Sequence, residues 1–572
     1  MKKAKRQRIE KTAVPAEAQK PKRVWWPWAA ALAGLIVALE VYGPALSGGF
    51  VLDDRYLLFM DPSAAQLSLP NWLTGMRPLL NFSYWLNFKS GGIDPNGALL
   101  TEGYHLTNVF LHFLGSLVIA LVTARLLELS GTTGSKRNVL SVIAGGLFLL
   151  HPLQTESVAY VASRSEVLSV LFYFSAFAVF LYRRTDSMTI LRAVAILVLF
   201  GAAISTKEHT LTLGALLLLT DYYWGLGGIR KNGLLYGMLT AAGAVGAFLV
   251  WRELRYASTA GFSVVAFTPA TYFFTQSRVI WTYVRLFFLP FGQNVDPDVA
   301  VSHSLLDHGA IFGLIALMAL VAAAWIYRKR WPLAAFGVFV FLLLLAPTSS
   351  FIPIQDASAE RRMYLPFLGL ALVCLEFLRR LRVSQAAWAG VAIITVCSVL
   401  TYQRSAVWAN PVALWQDAAN KSPQKWRPHF QLASALYESN MCADAARAFD
   451  AASRLQPPAF DLLLDWGLAL DCAGQWQDAL VRLQQSSALQ PSAHVQSQIG
   501  MVYAKHNKFG EAMAALAQGE RIDPTFEMTY VYRGNIFEAT GDKASAAAQY
   551  QRALALNPLN SVARDALARV SH

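Results

Sequence analysis

Two adjacent carboxylates, Asp53 and Asp54, follow the first long apolar run of the chain, in the stretch VLDDRYLLF. Charge beside a membrane is costly to keep and is therefore a candidate for function. More ionisable groups stand at the ends of later apolar runs. They are Arg77; His105, which shares a helix face with Asn108 and His112; His151, Glu156, Arg164 and Glu166; Lys207, Glu208 and His209; and Asp356, Glu360, Arg361 and Arg362. Acids mixed with arginine and lysine at a lipid boundary suit an anionic, lipid-linked substrate. Arginine matches phosphate through several directed hydrogen bonds. A carboxylate beside it can take the proton of an attacking hydroxyl, and a divalent metal could bridge phosphate and acid instead. The set has the layout needed for glycosyl transfer from a polyprenyl-phosphate sugar, with a base for the acceptor and cations for the departing phosphate. His151 with Glu156 is the one hint of a metal site, since no HxxxH or CxxC spacing occurs.

Apolar helices must position these groups. The chain has 572 residues, 55% hydrophobic and only 15% charged. Eleven apolar runs are candidate spans: 25–46, 105–127, 138–151, 165–183, 190–206, 209–224, 233–251, 309–327, 331–347, 363–379 and 386–403. The net charge of +13 is concentrated in a basic tail, residues 1–24, and in clusters such as Lys136-Arg137, Arg230-Lys231 and Arg328-Lys329-Arg330. With the tail in the cytoplasm, eleven crossings put every cluster inside, as the positive-inside rule requires. The run 278–291, broken by Arg278, Arg285 and Pro290, is short for a span and reads as an interfacial or re-entrant segment on the outer side. The acid pair and the C-terminus then lie outside. Trp25 to Leu46 is too long for the apolar core of a cleaved signal and reads as an anchor.

Past residue 404 the texture changes. Pro423, Pro457, Pro491, Pro524 and Pro558 recur at intervals of 34, 34, 33 and 34. Gly467, Gly500 and Gly534 keep the period, as do Ala445, Ala479, Ala512 and Ala546, while Asn440, Gly474, Asn507 and Gly541 mark turns. This is the helix–turn–helix pattern of tetratricopeptide (TPR) repeats. The expected architecture is all-α: a polytopic membrane bundle over 25–404 followed by a TPR solenoid over 405–572, with about four full repeats, a partial repeat before them and a capping helix after them. The repeats carry 13 Lys or Arg against 14 Asp or Glu, which argues against nucleic acid, and their groove suits a protein segment. Cys442 and Cys472 fall where neighbouring repeats could bring them together as a disulfide, whereas Cys374 and Cys397 lie in apolar runs.

The motifs FVLDD, RPL, YHLTNVFLH, HPLQTESVAYVASRSEVL, STKEHTLTL and AERRMYLPFLG, followed by TPR units, resemble the TMTC family of transmembrane, TPR-containing protein O-mannosyltransferases of the GT-C type. The resemblance implies a polyprenyl-phosphate sugar donor, mannose by family, a protein Ser or Thr acceptor and an external site. It implies Asp53 or Asp54 as base, Arg361 and Arg362 for the donor phosphate with Lys207 and Arg164 as helpers, and Glu156, Glu166, His151, His105, Arg77 and Glu208 as the supporting cavity. A bacterial inner membrane with a periplasmic site and repeat domain fits the basic-inside pattern. The rival readings are a lipid or glycan acceptor, a non-catalytic TPR scaffold, a transporter, and an acid pair that merely caps a helix.

Overall fold

The computed structural model describes residues 25–93, 99–183 and 188–571; the basic tail lies outside them. Among the described residues the fold is all-α, and only isolated bridges join Ile93 to Leu99 and Ala260 to Ile354. Each of the eleven apolar runs contains a helix. Six helices are long and apolar enough to cross a bilayer: Trp26–Leu46, Thr101–Leu129, Val161–Leu181, Gly228–Leu254, Asp307–Tyr327 and Val383–Trp408. A seventh candidate is the pair Gly134–Leu150 and Pro152–Ala159, bent by 48°.

The other four are shorter than their apolar runs: Ile190–Ile204, Leu213–Trp224, Pro332–Leu345 and Phe367–Leu378. A 12-residue helix is about 18 Å long, against about 30 Å of hydrocarbon. The missing length is at one end. There His151-Pro152, Lys207, Pro347 and Pro366 stop the helices, and short 3-10 turns carrying the polar motifs follow: Pro152–Gln154, Glu208–Thr212 and Glu360–Met363. The bundle is therefore recessed at the end that holds the candidate site.

The opposite end gathers the basic clusters. Lys136 Nζ donates to the Arg379 carbonyl at 2.9 Å, Arg379 to that of Ser130 at 2.9 Å, and Arg380 to that of Arg330 at 2.7 Å. The segment read as short is a 20-residue helix, Pro269–Phe288. Its start is set by Thr268, whose hydroxyl caps the Thr271 N–H at 3.2 Å just before Pro269, a signal ten residues upstream of the apolar run. Tyr272 bonds Thr348, Gln276 bonds Ala357, Trp281 bonds Gly313, and the Phe287 carbonyl accepts from His151. The helix thus ties the loops beside the candidate site to the start of the span Asp307–Tyr327.

A structured segment fills residues 47–93. Its Phe59, Trp72, Tyr84 and Phe88 form an apolar core with Tyr104 of the helix that follows and with Val161. Beyond the bundle come Pro411–Lys421 and four helix pairs, from Trp426–Glu438 with Cys442–Leu455 to Glu527–Ala539 with Lys543–Leu556; Ser561–Val570 closes the array. Asn440, Gly474, Asn507 and Gly541 all take positive φ, between 56° and 86°, at the turn within each pair. A Cβ on Gly467 would stand 2.7 Å from Leu483, and one on Gly500 2.7 Å from Leu516, so the period-keeping glycines are where paired helices touch. Cys442 and Cys472 are disulfide-bonded, with Cα atoms 5.6 Å apart. Cys442→Ser should cost about 2–4 kcal/mol of stability. Urea unfolding of the full chain checks this, and reductant should bring the wild type to the level of the variant.

Candidate active site

The acid pair divides its labour. The chain leaves the first span and enters a 3-10 turn, Leu52–Tyr56, in which the Asp54 carboxylate is fully buried. One of its oxygens accepts the Val51 N–H at 3.0 Å and the other the Ala162 N–H at 2.6 Å. The capping reading therefore describes Asp54, which ties the turn to the segment after the third span. Burial pushes the Asp54 carboxyl up to about 7 even though both N–H groups favour the ionised form. The Asp53 side chain is exposed, and its backbone N–H donates to the Tyr160 hydroxyl at 2.8 Å.

Tyr160 links the acid pair to a cation. The Arg361 guanidinium stands 5.8 Å from the centre of the Tyr160 ring. Arg361 pairs with the buried Glu156 at 2.5 Å, and its backbone N–H reaches the other oxygen of the same carboxylate at 3.1 Å. Burial opposes the charge of Arg361, but Glu156 and Tyr160 outweigh it and hold the guanidinium above its usual range. Its side chain keeps 22% exposure, so one edge faces open space.

A second group lies beside the first. Lys207 Nζ is 2.5 Å from the buried Glu166 carboxylate, and His209 Nε2 is 3.5 Å from its other oxygen. Burial draws the Lys207 ammonium below its ordinary range, against the pull of Glu166. Arg77 and Glu208 form a bidentate pair at 2.8 and 3.0 Å. Burial would raise the Glu208 carboxyl, but Arg77 overrides it and keeps it low. The charge of Arg361 acts on both Glu166 and Lys207. Asp53, Arg361, Lys207 and Arg77, with their partners, thus form one linked polar group.

Several expected site residues serve the backbone instead. Arg164, expected beside the donor phosphate, is fully buried; it donates to Asn108 at 2.8 Å, to the Ser83 carbonyl at 3.1 Å and to the Tyr104 carbonyl at 2.9 Å, with its guanidinium over the Tyr84 ring. Arg362, also expected there, is spent on Tyr272 and on the Ala357 and Asp356 carbonyls. His105 donates through Nε2 to the Gly48 carbonyl at 3.1 Å, fixing the exit of the first span. His151 uses both ring nitrogens, on the Phe287 carbonyl at 2.9 Å and the Leu153 N–H at 3.1 Å, which leaves it no lone pair for a metal. Glu156 is held by Arg361, and among the described residues no three His, Cys, Asp or Glu side chains come together as a metal site. The sequence reading passed over Tyr160, although it lies inside a quoted motif. It also passed over Gln293 and Asn294, which hold the Glu360 carboxylate at 2.8 and 2.6 Å.

No family model matches the sequence. Curated relatives do. The chain is 21% identical to protein O-mannosyl-transferase F38B6.6 of Caenorhabditis elegans over 74% of its own length and 62% of the relative. It is 21% identical to protein O-mannosyl-transferase TMTC3 of Homo sapiens over 92% of its length and 64% of the relative. The identity with Tmtc1 of Drosophila melanogaster is 30%, over 41% of this chain and 28% of that one. This chain is TMTC-like. It spans less than two thirds of the length of these relatives. Among solved structures, MamA is 20% identical with a TM-score of 0.24 over 26% of the TMTC-like chain and 86% of that one; YrrB, titled a TPR protein with an unusual peptide-binding site, is 20% identical with a TM-score of 0.24 over 27% and 80%.

The raised Asp54 carboxyl has a pH signature. A pKa lifted from its ordinary value to about 7 means that the folded chain holds the proton more tightly than the unfolded one. Its contribution is complete below the ordinary carboxylate range and is lost as pH rises to about 7. The Tm advantage of wild type over Asp54→Asn should therefore shrink between about pH 4 and about pH 7; a constant or widening gap in a thermal scan would contradict the assignment.

Proposed function

We propose that the chain is an integral-membrane glycosyltransferase that moves a sugar, mannose by kinship with its named relatives, from a polyprenyl-phosphate carrier to a Ser or Thr hydroxyl of a protein. The observation that carries the reading is the convergence on Tyr160: its hydroxyl holds the Asp53 backbone, and its ring stands beside the Arg361 guanidinium. A candidate base and a candidate phosphate ligand are thereby set on one side chain at the recessed end of the bundle.

In this reading the exposed Asp53 carboxylate accepts the proton of the acceptor hydroxyl as its oxygen attacks the anomeric carbon. The bond from that carbon to the phosphate oxygen breaks in the same displacement, inverting the centre, and the electron pair leaves on the phosphate. Arg361 receives the developing negative charge, with Lys207 and Arg77 beside it. Asp54 does not touch substrate; it fixes the turn that presents Asp53. Arg164 and Arg362 hold the walls.

We place the recessed end and the repeats outside the cytoplasm, at the periplasmic face of a bacterial inner membrane. The gathering of basic clusters at the other end supports this through the positive-inside rule. The Cys442–Cys472 disulfide supports it too, since such bonds persist in oxidising compartments. The repeat groove would present the acceptor protein.

The test is transfer by the purified chain from a polyprenyl-phosphate mannose to a Ser/Thr peptide, read as addition of one hexose by mass. Asp53→Asn should lower kcat by about 10²- to 10⁴-fold, the usual contribution of a general base. No transfer by wild type, or equal rates in the variant, rules the reading out.

A further inference from the structure

The two loops that bear Asp53 and Arg361 are both pinned to one repeat helix, Trp426–Glu438. Arg55, next to the acid pair, gives two nitrogens to the Glu438 carboxylate at 2.7 and 2.8 Å. Glu438 is the last residue of that helix. At its other end, Arg427 donates to Asp296 at 2.7 Å through Nε and to Asp356 at 2.7 Å through Nη2. Lys425 adds a contact to Asp296 at 2.6 Å. Asp356 begins the turn that leads to Arg361, and its carbonyl accepts from Arg362.

We propose that this helix is a strut that sets the position of Asp53 relative to Arg361, with Arg55, Glu438 and Arg427 as positioning residues. The idea rests on the reading of Asp53 as base and Arg361 as phosphate ligand. A 13-residue helix is stiff and about 20 Å long, a fixed spacer between two loops that the chain itself places some 300 residues apart. The apolar contacts agree. Val51 and Tyr160 from the site share one core with Trp408, Trp415 and Leu432 of the last span and the first repeat.

The two ends of the strut differ in strength. The Asp296 side chain is only 3% exposed, so its charge depends on Arg427 and Lys425. The Arg55 and Glu438 side chains are 38% and 51% exposed, a bidentate but solvated pair. The acid-loop end is therefore the soft end, where a substitution can loosen the site without unfolding the chain.

Hydrogen exchange of the full-length chain in detergent tests this without relying on activity. Glu438→Gln should speed exchange of the 51–60 amides about three- to fivefold. Arg427→Met should speed exchange around 356–363 about a hundredfold. The swapped pair Arg55→Glu with Glu438→Arg should restore the wild-type rate in the acid loop. Transfer to a short Ser/Thr peptide should lose kcat in Glu438→Gln while the KM of the peptide stays within about twofold. Wild-type exchange in both single variants, or a swap that restores nothing, overturns the strut. A fall confined to peptide KM overturns it as well, and leaves the helix as an acceptor-docking element. If wild type transfers no sugar, the proposed function fails, while the exchange data still decide whether the strut exists.

Discussion

Hydrocarbon cannot hydrogen-bond to a peptide group. Every stretch of non-helical backbone at membrane depth must find its partners inside the protein or line a wet cavity. This chain stops five of its helices short at the same end and fills the space with 3-10 turns and loops. The freed carbonyls and N–H groups are then met by side chains that look catalytic in the sequence. Arg362 takes the Asp356 and Ala357 carbonyls, and Glu360 the Asn294 N–H. A recessed polar face and a set of buried ionisable groups are two aspects of one solution.

That requirement sorts the charges. Those with every hydrogen bond spent on backbone or on neutral groups build the walls. Those paired charge to charge, such as Arg361 against Glu156 and Arg77 against Glu208, keep part of the cation exposed. The neighbours Asp53 and Asp54 fall on opposite sides of this division. The 3-10 turn points one side chain into the protein and the other out, so adjacency in sequence becomes a difference in burial.

Much of the fold was legible in the sequence. Apolar runs marked eleven helices, and the period of proline and glycine gave the repeats down to their turn residues, because both patterns are local. The segment 278–291 read as short because its arginines interrupt it, and the length of its helix was missed because the start depends on the Thr268 cap and not on hydrophobicity. The site was legible only as a collection of residue types. Nothing local separates Arg361, paired to an acid and partly exposed, from Arg362, sealed under carbonyls, since burial is decided by helices distant in sequence. Tyr160 was invisible for the same reason. A tyrosine in an apolar motif reads as packing until the Asp53 backbone is found on its hydroxyl.

The close approach of the first and last spans shapes how such a chain can change over time. A methyl group on Gly48 would stand 2.6 Å from the Trp408 carbonyl, and Pro411 packs against Gly49. The first repeat is thus born from the seam between these spans and completes a core begun in the bundle, so a cut at residue 404 would run through shared apolar surface. The same core runs on past Pro457 to Leu462, Leu463 and Trp466 of the next repeat. The later repeats pack in apolar clusters of their own, so a change in repeat number disturbs the membrane body least when it falls beyond Ala479.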